Sequence, residues 1–141
     1  MREKESEPRV VVDQLSRIRA PGAGRWLVAW RIRSLGQGTL KILSARLPHS
    51  LFRCEERELA AVLTLQAKES ARLELPVKCA EPPGTIVENA FLILRVLWSE
   101  EPWHILARLR VSVNKEGAPE TATELVTAQP VGFSVPMKGK S

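Results

Sequence analysis

Apolar and polar positions alternate along this chain in short runs that stop at Pro and Gly. Over residues 25–33, Trp26, Val28, Trp30 and Ile32 fall on one side, and Arg25, Ala29, Arg31 and Arg33 on the other. A period of two puts one face of a strand in the core and the other in water. Residues 70–78 repeat it, with Ala71, Leu73, Leu75 and Val77 against Arg72, Glu74, Pro76 and Lys78. Pro76 lacks a ladder N–H and suits an edge or a local irregularity. Residues 103–113 set Ile105, Ala107, Leu109, Val111 and Val113 against Arg108 and Arg110, while residues 89–98 are apolar at nearly every position from Ala90 to Val96 except Arg95. The second pattern predicts a strand buried on both faces or covered on its outer one. The connector Ser99-Glu100-Glu101-Pro102 between them predicts an antiparallel hairpin at the centre of the domain.

Val10-Val11-Val12 opens a first strand towards Ile18, closed by the turn Pro21-Gly22-Ala23-Gly24. Residues 39–47 read as another strand with Leu40 and Ile42 inward, ended by Pro48. Residues 51–65 are ambiguous, because Glu55-Glu56-Arg57-Glu58-Leu59-Ala60-Ala61 favours helix by propensity while its neighbours favour a meandering edge strand; strand or loop is the expectation. Beyond Asn114 the alternation fades. Seven or so short strands and no long helical segment predict an all-β fold, a two-sheet Greek-key sandwich, with an open barrel as the alternative. The expected organisation is a charged extension over residues 1–8, a β-sandwich over 9–114 and an extended or partly disordered tail over 115–141. The inward positions Trp26, Trp30, Leu73, Leu75, Leu92, Leu94, Ile105, Leu109 and Val111 predict one core.

The middle of the chain resembles the immunoglobulin-like domains of the ASPM/SPD-2/hydin type, relatives of the major-sperm-protein and PapD-like sandwiches. The run from Trp30 through Ser34-Leu35-Gly36-Gln37-Gly38 to Leu40-Lys41-Ile42 is similar to that group's strand, Asn-x-Gly-like turn and Leu-x-Ile. Phe52 stands where the family places an aromatic. The segment Leu65-Gln66-Ala67-Lys68-Glu69-Ser70-Ala71-Arg72-Leu73-Glu74-Leu75 is similar to its Leu-x-Pro-Gly-Glu-Ser segment, and Pro82-Pro83-Gly84 to the turn after it. Ser34 replaces the Asn, and Ala67-Lys68 replaces Pro-Gly. The resemblance covers roughly residues 25–113 and implies an immunoglobulin-like sandwich that serves as a binding or scaffolding module, with no catalytic or ligand residues to carry over.

At 141 residues, with 44% hydrophobic and 26% charged residues, the chain fits one globular domain. No apolar stretch approaches the roughly 20 residues of a membrane-spanning helix. The charged start, Met1 to Pro8, has no apolar stretch of a secretory signal, so the cytoplasm is the expected compartment. Asp13 is the only aspartate, and His49 and His104 are the only histidines. That inventory leaves little for a catalytic triad, and the adjacent Glu55, Glu56 and Glu58 read as a solvated face rather than two acids across a cleft. Neither Gly22-Ala23-Gly24 nor Gly36-Gln37-Gly38 carries the Lys-Ser/Thr and helix of a phosphate loop. The expectation is a protein that is not an enzyme, with no catalytic, cofactor-binding or metal-ligating residues and no cofactor.

Cys54 and Cys79, with the two histidines, match no zinc-finger spacing. Cys79 continues the inward parity of Leu75 and Val77 and reads as a buried thiol, a disulfide being the alternative. Trp98 and Trp103 bracket a turn, either as a packed hairpin closure or as an exposed stacking platform.

The expected function is a non-catalytic interaction or scaffolding module, a subunit or accessory domain of a larger assembly, whose partner is another protein. The alternative starts from the net charge of +5: nucleic acid or another polyanion bound on a face made by Arg31, Arg33, Arg95, Arg108 and Arg110. In the tail, Leu125, Val126, Val131 and Phe133 are too apolar for a pure linker. They are expected to dock on a sheet edge, the domain's own or a partner's.

Overall fold

The alternating segments become strands, and a computed structural model of the chain describes residues 7–131. They form β1 (Val10–Arg19), β2 (Arg25–Ser34), β3 (Leu40–His49), β4 (Phe52–Leu65), β5 (Ser70–Lys78), β6 (Ile86–Trp98), β7 (Glu101–Val113) and β8 (Pro119–Pro130). The fold is all-β, with no helix among the described residues. The strands are neighbours in the order β1, β2, β5, β4, β3, β6, β7, β8, every pair antiparallel. Eight strands thus lie in one nearly closed, barrel-like sheet, where about seven in two sheets were expected.

The eighth strand comes from residues read as tail. β8 lies along β7 from Val113 opposite Pro119 to Trp103 opposite Pro130. Its alternation is hidden for two reasons. The half-buried positions before the bulge are Thr121 and Thr123, and those after it are Val126 and Ala128, so no large apolar residue marks the early part. A register shift places Arg108 opposite Leu125 and Leu109 opposite Thr123, which leaves Glu124 as the bulge and reverses the parity.

No backbone ladder joins β8 to β1, and the gap is closed by side chains. Gln14 Oε1 accepts from both the backbone N–H and the hydroxyl of Thr121, each at 2.7 Å, and Gln14 Nε2 donates to the Pro119 carbonyl at 3.3 Å. The Thr123 hydroxyl donates to the Val12 carbonyl at 2.7 Å. The Gln14 amide thereby stands in for a peptide group of the missing ladder. A bulge at Leu15, between Gln14 opposite Trp30 and Ser16 opposite Ala29, bends β1 at this point.

All nine predicted core positions are buried in one cluster. Trp30, fully buried, meets Phe52 edge to face with centroids 6.3 Å apart, and its indole N–H donates to the Thr121 hydroxyl at 3.1 Å. The β6–β7 hairpin turns on Ser99 and Glu100 alone. Both have positive φ, 49° and 69°, as a two-residue type I′ turn requires, and Glu101 already belongs to β7. The turn sits tightly on Gly38, where a Cβ would come within 2.6 Å of Ser99 Oγ and 3.1 Å of the Trp98 ring.

Candidate functional site

Besides the β8–β1 gap, the sheet has a second weak seam. β4 and β5 pair only where Arg53 lies opposite Lys78, and beyond that position no ladder joins them. β4 also leaves β3 here: Ser44 faces Glu58 and Ile42 faces Leu63, so residues 59–62 of β4 stand against Leu43 alone. This outswung stretch was the ambiguous part of the sequence. It is strand, and Leu59-Ala60-Ala61-Val62-Leu63 lies on it, with Val62 48% exposed. Helical propensity loses because Phe52, Cys54 and Leu65 at its ends are held in the core.

At the closed end of the seam the register assembles charge. Arg25 of β2 lies opposite Lys78 of β5, and Lys78 lies opposite Arg53 of β4, so three exposed cations stand in one cross-strand row. Like charges directly opposite one another destabilise a sheet. Behind the row is a cavity of about 300 Å³ whose rim carries Arg25, Arg53, Arg57 and Lys78. Trp26, Val77 and Cys54, all buried, supply its apolar floor. Glu55 is the single acid on the rim and is paired with Arg53. Among the described residues, Arg25, Arg57 and Lys78 form no ion pair.

The floor is fixed from several sides. The Trp26 indole N–H donates to the Cys79 carbonyl at 3.2 Å, and the Arg19 guanidinium lies 4.6 Å from the Trp26 ring centroid. The Cys79 amide donates to the Gly24 carbonyl at 2.8 Å. Gly24 has a positive φ of 69°, and a Cβ there would meet Ala80 Cβ at 2.6 Å. The Cys54 thiol donates to the Glu55 carbonyl at 3.2 Å. Burial pushes its pKa up, opposed by nearby Arg57, and burial likewise raises that of Cys79. Both thiols are buried, and neither is in a disulfide.

A second charged group lies outside β3, β4 and β6, and its charges are mutually satisfied. The Ser44 hydroxyl donates to Glu56 at 2.7 Å and accepts from Arg95 Nε at 3.2 Å, while Arg95 Nη2 reaches Glu58 at 2.7 Å. The Ser44 hydrogen bond, helped by Arg95 and Arg46, holds the Glu56 carboxyl below its usual range. Each carboxylate is engaged by a cation or hydroxyl, the arrangement of a surface network.

The five arginines expected to form one polyanion face do not come together. Arg31 and Arg33 are on β2, separated from the β6–β7 pair that carries Arg95, Arg108 and Arg110 by β5, β4 and β3 along the ladder and by β1 and β8 the other way round. The three on β6 and β7 share the outer face, but each has an acid beside it: Arg95 with Glu56 and Glu58, Arg108 with Glu124 at 3.7 Å, and Arg110 with Glu88 at 3.1 Å. Arg31 stands between Asp13 of β1 and Arg72 of β5, and Arg33 donates to the Lys68 carbonyl.

Of the tail residues, Val126 packs on the core from β8, Leu125 is 50% exposed on the outer side, and the Val131 N–H donates to the Pro102 carbonyl at 3.0 Å. Phe133 lies outside the described residues. Trp98 is buried opposite Leu40 of β3, and Trp103 packs half-buried against the core, so the two rings form no exposed platform. His49 accepts from the Leu51 N–H at 3.0 Å, and His104 stands opposite Arg95. Among the described residues no three His, Cys, Asp or Glu side chains gather to hold a metal, and no helix is long and apolar enough to cross a membrane.

Arg25, Arg53, Arg57 and Lys78 carry no motif in the sequence, since only strand pairing joins them. The one signal was Pro76, whose missing N–H marks β5 as the strand beside an irregularity.

No protein-family model matches the chain, and no curated protein matches it. Among solved structures, the X-ray structure of Northeast Structural Genomics Consortium target SoR45 is similar at a TM-score of 0.33 and 12% identity, over 97% of this chain and 96% of that one. A likeness this slight carries no argument.

Proposed function

We propose that this chain is a non-catalytic interaction module that accepts an extended segment of another protein along the open seam between β4 and β5. The observation that carries the reading is that these two strands pair at Arg53 and Lys78 only. A strand edge without a partner is a template for another strand: main-chain hydrogen bonds supply affinity, and alternate side chains supply register. Natural sheets usually blunt such an edge with inward charges or a covering loop. Here the outswung part of β4 exposes Ala60, Ala61 and Val62 instead, while Leu59 and Leu63 pack against the core. The crossovers that set β2 beside β5 and β3 beside β6 support the immunoglobulin-like, Greek-key reading of the topology, a fold compatible with a scaffolding role but not evidence for one. The polyanion alternative through the five arginines loses support, because they are divided between strands that are not neighbours and the β6–β7 members are paired.

Hydrogen exchange tests the reading. The chain is used to capture a protein from its own cell extract, and amide exchange is then compared with and without that protein. Slowed exchange between residues 59–63 and 70–77 supports the seam. Slowing confined to the outer face of β6 and β7 refutes it.

A further inference from the structure

We infer that the segment accepted at the seam is acidic, and that the cavity behind Arg25, Arg53, Arg57 and Lys78 receives one of its carboxylate side chains. The inference rests on the seam being a docking edge and adds the chemistry of what docks. Its ground is a charge imbalance built by the fold. Three cations occupy consecutive cross-strand positions at the one point where β4 and β5 pair. Four arginines elsewhere on this surface each have an acid within 3.1 Å: Arg17 with Glu120, Arg72 with Glu74, Arg95 with Glu58 and Arg110 with Glu88. On the cavity rim only Arg53 has such a partner, and like charges directly opposite one another destabilise a sheet. An incoming carboxylate removes that repulsion.

The shape of the cavity agrees. At about 300 Å³, with Trp26, Val77 and Cys54 beneath and cations above, it fits a short side chain with an apolar stem and an anionic end. Guanidinium groups on two strands can grip a carboxylate bidentately. A strand added beside β5 ends at the rim, where Arg53 already pairs with Lys78, so the side chain at its end meets the unpaired cations and one ligand satisfies both the open edge and the charge. Cys54 cannot supply the anion, because burial keeps its thiol protonated.

The test uses the full chain and three synthetic octapeptides, alternating Val-Glu, Val-Gln and Val-Lys, together with a single-stranded oligothymidylate of matched charge, all measured by isothermal titration calorimetry. The Val-Glu peptide is expected to bind about tenfold or more tighter than Val-Gln, with Val-Lys weakest. Lys78→Glu and Arg25→Glu, both at exposed positions, are expected to cut Val-Glu binding by about tenfold and leave Val-Gln unchanged. Arg110→Glu, on the far face, should alter neither, and circular dichroism checks that each variant folds. Equal binding of Val-Glu and Val-Gln leaves the docking edge standing and overturns the acidic preference. Binding of neither peptide overturns both readings. Oligothymidylate binding tighter than Val-Glu, and lost in Lys78→Glu, assigns the cavity to nucleic acid and overturns the peptide proposal.

Discussion

Gln14→Leu should open the junction that closes the sheet. The substitution keeps the size of the side chain and removes its amide. Three hydrogen bonds go with it: two donated by Thr121 to Oε1 and one from Nε2 to the Pro119 carbonyl. Each is worth about 0.5–1.5 kcal/mol net, and a donor left buried without a partner costs about 1–3 kcal/mol. Thr121 is half-buried and its hydroxyl can turn to water, so the lower half of these ranges applies and a loss of about 2 kcal/mol is expected. Thr121→Val attacks the same junction from the other side. It removes the acceptor of the fully buried Trp30 indole N–H and should cost a similar amount, about 2 kcal/mol. The Thr121 hydroxyl bond to Gln14 is then counted in both variants, so the double variant should lose less than the sum, with a coupling of about 0.5–1.5 kcal/mol. Urea unfolding of the four proteins, with m-values compared, measures the cycle. An unchanged midpoint for Gln14→Leu, or single losses that add within about 0.3 kcal/mol, would show that β1 and β8 are not joined through this amide.

Trp30→Ala removes a fully buried ring that packs on Phe52 and should cost about 3–5 kcal/mol in urea unfolding; a loss below about 1 kcal/mol would sink its central place in the core. The β8 amides that bond to β7 should exchange with solvent as slowly as those of β7 itself, measured by hydrogen exchange in the isolated chain, and exchange at the rate of a free peptide refutes the eighth strand. Burial raises the pKa of Cys54 and of Cys79 above that of an ordinary thiol, so the thiols contribute stability that is fully present below the unfolded pKa. That contribution is lost as pH rises through the folded values; unfolding midpoints should fall at alkaline pH, less so when both are replaced by Ala, and a pH profile identical in that variant counts against the assignment.

The all-β class, most strand positions and the composition of the core were legible in the sequence. These follow from period-two alternation, a local property: Trp26, Trp30, Leu73, Leu75, Leu92, Leu94, Ile105, Leu109 and Val111 are inward in the pattern and buried in the structure. β8 was hidden because its early inward positions are threonines and its parity reverses at Glu124, so a local pattern had nothing to register. The grouping of functional residues was not legible at all. Arg31 and Arg110 look alike in sequence, and tertiary structure alone puts them on separated strands, one opposite Asp13 and the other against Glu88. Arg25, Arg53 and Lys78 lie far apart along the chain and become neighbours only because β5 crosses over to pair with β2 and touches β4 at one position. The hydrophobic alternation says which face of a strand is buried, but which strands lie side by side, and hence which charges meet, is decided by long-range pairing.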